Sequence, residues 1–354
     1  MSAGQTLMLC GDVNVQGRAD PASAFALVQP TLAQADVLFG DLEMALYRPD
    51  AALEEKPGWT QSEPRMVEAL VAAGFAAVGC ANNVVHGAEA IRSTLAVLDQ
   101  RGIGHTGAGE NLAAARAPAI VERGGVRYGF LASTMVYYVR GHAASPDSPG
   151  VAALCCHTAY QPHSRVLEMP GAPAVTRSWP DPGALARLRE DLAALRRQVD
   201  ILIAYFHWGV SGMDELAEYQ RTVAHDAIDY GADLVVGSHA HKPQGVELYR
   251  ERPILYGLGN FAFDWINMRP HRTGLLARCQ VADRRLREVA VRPVVRRDDP
   301  LNQPELVSLD HADGRLIAER VVELSREVGT ALRRRGEELV VLESGSDSAL
   351  AHTS

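Results

Sequence analysis

The feature that most constrains this chain is a repeated pairing. Short apolar runs each end on a polar residue that can do chemistry. Leu7–Cys10 runs into Gly11-Asp12, Asp36–Phe39 into Gly40-Asp41, and Ala76–Ala81 into Asn82-Asn83. Later, Asp200–Phe206 runs into His207, and Ala232–Val236 into Gly237-Ser238-His239. Runs this short and this apolar have strand length rather than helix length. Between them lie amphipathic stretches that read as helices: Ala22–Ala35, Pro64–Ala73, Ala88–Gln100, Pro182–Gln198 and Glu215–Asp229. The alternation predicts an α/β or α+β protein with strands packed between helices. Ile103–Gly107, Arg127–Ser133 and Pro253–Gly257 add strands. Thr273–Arg296 reads as a hairpin turning at Asp283-Arg284-Arg285, Arg315–Arg335 as a helix, and Leu339–Leu342 as a last strand. The segment Val136–Trp179 is the least regular, and a loop of that length is expected to cover one edge of a site.

In α/β sheets, ligands collect outside the carboxyl ends of the strands. Asp12, Asp41, Glu43, Asn82, Asn83, His207, His239 and His241 would then face one crevice. Imidazole suits zinc, iron, nickel and copper, and carboxylate adds manganese and magnesium. So many donors exceed one tetrahedral site and suit two ions bridged by a carboxylate, a clamp for hydrolytic chemistry. Taken singly, several of these residues have plainer explanations. Gly-Asp after a strand is commonly a turn or helix cap. Asn82-Asn83 also fits a turn, and His207 beside Trp208 fits a half-buried histidine. Gly-Ser-His-Ala-His is the hardest to explain as a plain loop.

Charge narrows the partners. Lys and Arg number 35 against 43 Asp and Glu, a net charge of −8. Such a chain lacks the general positive surface that nucleic-acid binding needs. Its five cysteines are too few for a disulfide framework at 354 residues. Cys10 and Cys80 fall inside apolar runs and read as core residues, and Cys155-Cys156 are adjacent, which disfavours their pairing. Ser133 sits in no nucleophile-elbow pattern. Neither a secretory leader nor a long apolar span is visible, so the expectation is a soluble cytoplasmic protein with no membrane partner.

The ordered motifs resemble the calcineurin-like metallophosphatase superfamily: Gly11-Asp12, Asp41-Leu42-Glu43, Ala81-Asn82-Asn83, His207-Trp208-Gly209 and Gly237-Ser238-His239-Ala240-His241. His105-Thr106-Gly107-Ala108-Gly109-Glu110-Asn111 and Tyr256-Gly257-Leu258-Gly259-Asn260-Phe261 narrow the likeness to the CapA, or poly-γ-glutamate biosynthesis, group over residues 5–265. The resemblance implies a four-layer α/β/β/α sandwich of two mixed sheets. Strand ends that must converge on one site favour one domain over 1–343, with 266–343 as an extension, and 344–354 reads as a disordered tail. The resemblance also implies two divalent ions (manganese, iron or zinc) held by Asp12, Asp41 or Glu43, Asn83, His207, His239 and His241, with Glu43 favoured as the bridge. Asn260 would orient substrate or ligands.

One departure stands out. The family places a histidine after the second Asn, and here that residue is Val84, which can neither donate a proton nor bind an oxyanion. His86 is the candidate replacement, with a surface turn as its plainer role. Trp59, Ser62, Arg65, Arg18, Tyr137, Tyr138, Arg140 and His142 are secondary candidates for contact with substrate. Three functions follow as expectations. The first is a dinuclear hydrolase of a phosphoester or a peptide-like, γ-glutamyl bond in an anionic substrate. The second is a part in polymer or capsule biosynthesis, and the third is a binding protein on the same scaffold.

Overall fold

The computed structural model describes residues 4–48 and 61–343. Trp59 and the expected tail 344–354 lie outside the described residues. Two mixed sheets stack face to face. In the larger, Gln5–Asn14 sits centrally, parallel to Val37–Leu42, followed by Ala77–Gly79 and Gly104–Thr106. Asn260–Phe263 runs parallel to the first strand near its end. On the other side Thr273–Ala282 pairs with Gln5–Asn14 antiparallel, followed by Arg285–Arg296 and Glu338–Glu343. The smaller sheet centres on Val126–Thr134, Ile201–His207 and Leu234–Ser238, all parallel.

Alternation along these strands divides the apolar residues among three layers of packing. Between the sheets lie Leu7, Leu9, Val37 and Phe39 from one and Tyr128, Phe130, Ile203 and Val236 from the other. Phe39 and Phe130 stack across this interface with centroids 4.3 Å apart. Met8, Cys10 and Leu38 point outward, onto Phe25, Leu32 and Leu70 of the first helices. On the opposite surface, Leu202, Ala204 and Phe206 pack on Leu188 and Leu192 of Pro182–Arg196 and on Val223 of Glu218–Asp229. The result is the four-layer α/β/β/α sandwich of two mixed sheets that the resemblance implied.

Three expectations need correcting. Ala22–Ala35 is not one helix but a 3-10 turn, Pro21–Phe25, and a single α turn, Gln29–Leu32. Pro30 has no N–H to continue the ladder and its ring clashes with the preceding turn. The late helix is Ala312–Glu327, not Arg315–Arg335; Gly329 adopts φ 83° just after it, and Arg333–Arg335 is a strand. The irregular segment carries its own hairpin, Cys156–Gln161 with Val175–Pro180. The Thr273–Arg296 hairpin turns as expected, with Asp283 and Arg284 at φ 52° and 59°. Residues 266–343, read as an extension, supply central and outer strands of the larger sheet and so are woven into it.

Candidate metal centre

Register brings the polar residues together. Across the larger sheet Asn260, Asp12, Asp41 and Gly79 are successive neighbours. Across the smaller sheet Thr134, His207 and Ser238 are neighbours. The two rows face each other where the parallel strands end. Close backbone approach makes this possible at Gly11, where an added Cβ would lie 1.9 Å from the Gly259 carbonyl oxygen. Asp12 N–H donates to that same oxygen at 3.0 Å.

The donors are almost fully buried. Asp12 is 0% exposed, Asp41 1%, Glu43 2%, His207 1%, His241 2% and His239 8%. Ligand atoms of Asp12, Asp41, Glu43 and His207 all lie within 4.8 Å of one another, and so do those of Glu43, His207 and His239. Glu43 and His207 belong to both sets. Around Asp41 the hydrogen bonds are dense: His207 Nδ1 at 2.7 Å, Ser238 Oγ at 3.0 Å and Asn82 Nδ2 at 2.9 Å. Asn83 Oδ1 sits 2.7 Å from His207 Nε2. His241 joins neither set of converging atoms, but its Nδ1 lies 3.3 Å from Asp12 and 3.9 Å from Glu43. Asn260 Oδ1 faces that nitrogen at 2.8 Å.

Backbone and electrostatics both point to a cation. His239 and His241 hold φ of 82° and 55°, left-handed conformations that cost a non-glycine residue roughly 1–3 kcal/mol each. Burial raises the Asp41 carboxyl above its usual range, and Asp12 adds to the rise, against the pull of His207. The Tyr205 hydroxyl and the Cys10 thiol are likewise pushed up, first by burial and then by the charges of Asp41 and Asp12. At His241 burial works downward, but Glu43, Asp12 and Asn260 outweigh it and lift the imidazole to about 9. Three carboxylates this close and this dry are a poor arrangement for a protein alone. The mixed carboxylate and imidazole donors fit one or more divalent ions.

Asn82, expected among the donors, is a positioning residue: its Nδ2 holds Asp41 and the Leu42 carbonyl while its Oδ1 accepts from Val84 and Val85 N–H, each at 3.0 Å. Val84 is buried at 1% exposure. His86 packs edge-on to His142 and Tyr138, with centroids 4.7 and 5.1 Å away. His142 in turn bonds the Val85 carbonyl at 3.0 Å and accepts from Tyr138 N–H. The irregular segment therefore covers the Asn83–His86 turn, as expected from its length. The secondary candidates divide. Arg18 is committed to Asp264, with two contacts of 2.7 Å. Ser62 donates to the Val15 carbonyl, and Arg65 to the Arg18 and Ala19 carbonyls. Sequence reasoning missed Ser238, although it stands inside the Gly-Ser-His-Ala-His motif, one residue before His239.

No helix among the described residues is long and apolar enough to cross a membrane. The chain is similar to an uncharacterized protein of Sinorhizobium fredii, 30% identical over 310 residues that cover 74% of this chain and 66% of that one. It is 30% identical over 247 residues to a probable polyglutamine synthesis accessory protein of Mycobacterium tuberculosis, covering 67% and 58%. With the capsule biosynthesis protein CapA of Bacillus anthracis it shares 24% over 276 residues, covering 73% and 60%. The chain thus spans less than two thirds of the length of these relatives. Among solved structures, a novel phosphatase from Mycoplasma pneumoniae superposes with a TM-score of 0.48 at 13% identity, covering 85% of this chain and 96% of that one. The family model for the bacterial capsule synthesis protein PGA_cap matches residues 6–265. The chain belongs to that family.

Proposed function

We propose that the chain is a metal-dependent hydrolase with a dinuclear site, cleaving a phosphoester or a peptide-like, γ-glutamyl bond of an anionic substrate. One observation carries this reading: Glu43 and His207 belong to both sets of converging ligand atoms. Two ions sharing a carboxylate would need such overlap. Bound there, manganese, iron or zinc would supply an activated water and stabilise charge on the leaving oxygen. Asp12, Asp41, Glu43, Asn83, His207, His239 and His241 are the residues that would hold them. Asp41 keeps the His207 ring oriented through its Nδ1, as carboxylates commonly do for ligating histidines. With Val84 at the family's histidine position, we assign proton donation to His86, held by the Tyr138–His142 pair. The names of the relatives, capsule biosynthesis protein and polyglutamine synthesis accessory protein, favour a peptide-like polymer or its fragments as substrate.

Metal analysis of the purified protein, followed by two assays, tests the reading. Two equivalents of divalent ion are expected, with cleavage of an aryl phosphodiester or a shortening of poly-γ-glutamate. Failure to take up any ion refutes the proposal. Two ions with neither cleavage favours the second reading, a binding protein, which the buried Val84 supports.

A further inference from the structure

Arg296 ends the Arg285–Arg296 strand, outside the stretch that matches the family, and is 0% exposed. Among the described residues no carboxylate is bonded to it. Its Nη1 donates to the Phe263 carbonyl and to Asn302 Oδ1, the latter at 3.0 Å. Its Nη2 donates to the carbonyls of Met268 and His271, each at 2.6 Å. All four terminal N–H groups are therefore spent on the 263–271 loop and the turn that carries Asn302. Burial lowers the guanidinium to about 10, Arg272, Arg269 and Arg18 add to the fall, and Asp264 opposes it. Burying a charge this way is expensive, and an apolar side chain would fill the same space at less cost.

What the loop receives is a fixed carbonyl. The His271 oxygen also accepts from Asn260 Nδ2 at 2.8 Å. A carbonyl cannot donate, so the Asn260 amino group must face it and Oδ1 must face the other way. Oδ1 then lies 2.8 Å from His241 Nδ1. In this orientation the nitrogen faces both Oδ1 and the Asp12 carboxylate, the latter at 3.3 Å.

We propose that Arg296 is a positioning residue of the centre, setting the ring of His241 through the His271 carbonyl and the Asn260 amide. Its bearing on metal affinity rests on the reading of the cage as a metal centre. The strand that carries it is thereby part of the site, although it contributes no ligand.

The test uses the full chain. In the metal-free protein labelled with 15N-histidine, the His241 imidazole should give a distinct Nδ1–H signal. Arg296→Lys and Asn260→Ala should each shift or broaden it. By calorimetry, each should weaken Mn2+ binding about 10- to 100-fold, the range for partners of ligating histidines. The double variant should lose little beyond the larger single loss, because both act on one path. Should Arg296→Lys not fold, Asn302→Ala serves instead, removing one acceptor while leaving the guanidinium; a smaller shift of the same signal is expected. An unchanged His241 signal, Mn2+ affinity within twofold of wild type, or fully additive losses would overturn the proposal. A wild type that takes up no Mn2+ sinks the hydrolase reading, and the imidazole spectrum alone then decides the role of Arg296.

Discussion

Glu43→Gln should stabilise the metal-free protein while abolishing its response to metal. The substitution keeps shape and removes one of three carboxylate charges whose ligand atoms lie within 4.8 Å of one another. At that separation a like-charge pair is unfavourable by about 3–4 kcal/mol with an effective dielectric near 20. One imidazole stands ready to offset charge: His241, beside Asp12 and Glu43, is lifted to about 9. It balances one of the three carboxylates, so removing Glu43 relieves about one uncompensated pair. Against this, exchanging an ionised acceptor for an amide loses about 1–2 kcal/mol of hydrogen bonding. The net gain is about 1–3 kcal/mol, or roughly 1–4 °C in Tm for a chain of this length. Thermal unfolding in EDTA and in excess Mn2+ reads both halves. Wild type at about 100 times Kd should gain about 2.7 kcal/mol from the ion, and the variant should gain almost nothing. The reasoning fails if the variant is several degrees less stable in EDTA and still rises with Mn2+ as wild type does.

Four further outcomes follow from the geometry. Gly11→Ala should cost several kcal/mol in denaturant unfolding, because its Cβ would collide with the Gly259 carbonyl 1.9 Å away. Phe130→Ala should cost about 3–5 kcal/mol through loss of the stack on Phe39 and the cavity left between the sheets; an effect under 1 kcal/mol would mean that the core is not shared. Hydrogen bonding to Arg335, then to Arg278, holds the Glu288 carboxyl down at about 2. Its stabilisation is thus complete above the unfolded carboxylate range and is lost as pH falls from about 4.5 toward 2. Urea midpoints of wild type and Glu288→Gln should therefore converge across that window and stay apart above it. His86→Ala should slow cleavage most for substrates with poor leaving groups while leaving Mn2+ affinity within a few-fold; equal slowing for all leaving groups would remove His86 as the acid.

The clustering of the candidate donors was legible in the sequence because they sit where strands stop. A ligand at a strand end needs only that the strand be recognised, and Leu7–Cys10, Asp200–Phe206 and Ala232–Val236 are apolar enough to be unmistakable. Parallel register then places Asp12 beside Asp41, and His207 beside Ser238, without further instruction. Elements whose identity depends on one local residue were harder to read. The Ala22–Ala35 stretch has helical spacing, but Pro30 breaks it, and the Arg315–Arg335 stretch ends early at Gly329. Asn260–Phe263 is a strand only because it lies against Gln5–Asn14, a partner hundreds of residues away.

The same distinction explains why the supporting groups were hidden while the donors were not. Metal donors come from a short chemical vocabulary, so their types and order carry information. The groups that aim them do not. His271 acts through its carbonyl, which every residue possesses. Arg296 acts through donors that, in sequence, belong to any arginine, and this chain's arginines are mostly at its surface. Only the fold shows that one of them is fully buried and collects the carbonyls behind Asn260. On the role proposed for Arg296, a chain can keep every candidate donor and still bind Mn2+ about 10- to 100-fold more weakly through a change at this residue, 36 residues beyond the last donor-side motif at Asn260. It follows that the hairpin formed by residues 273–296 should be retained in any truncation meant to preserve metal binding, since removing it strips both the neighbour of the first strand and the support of His241.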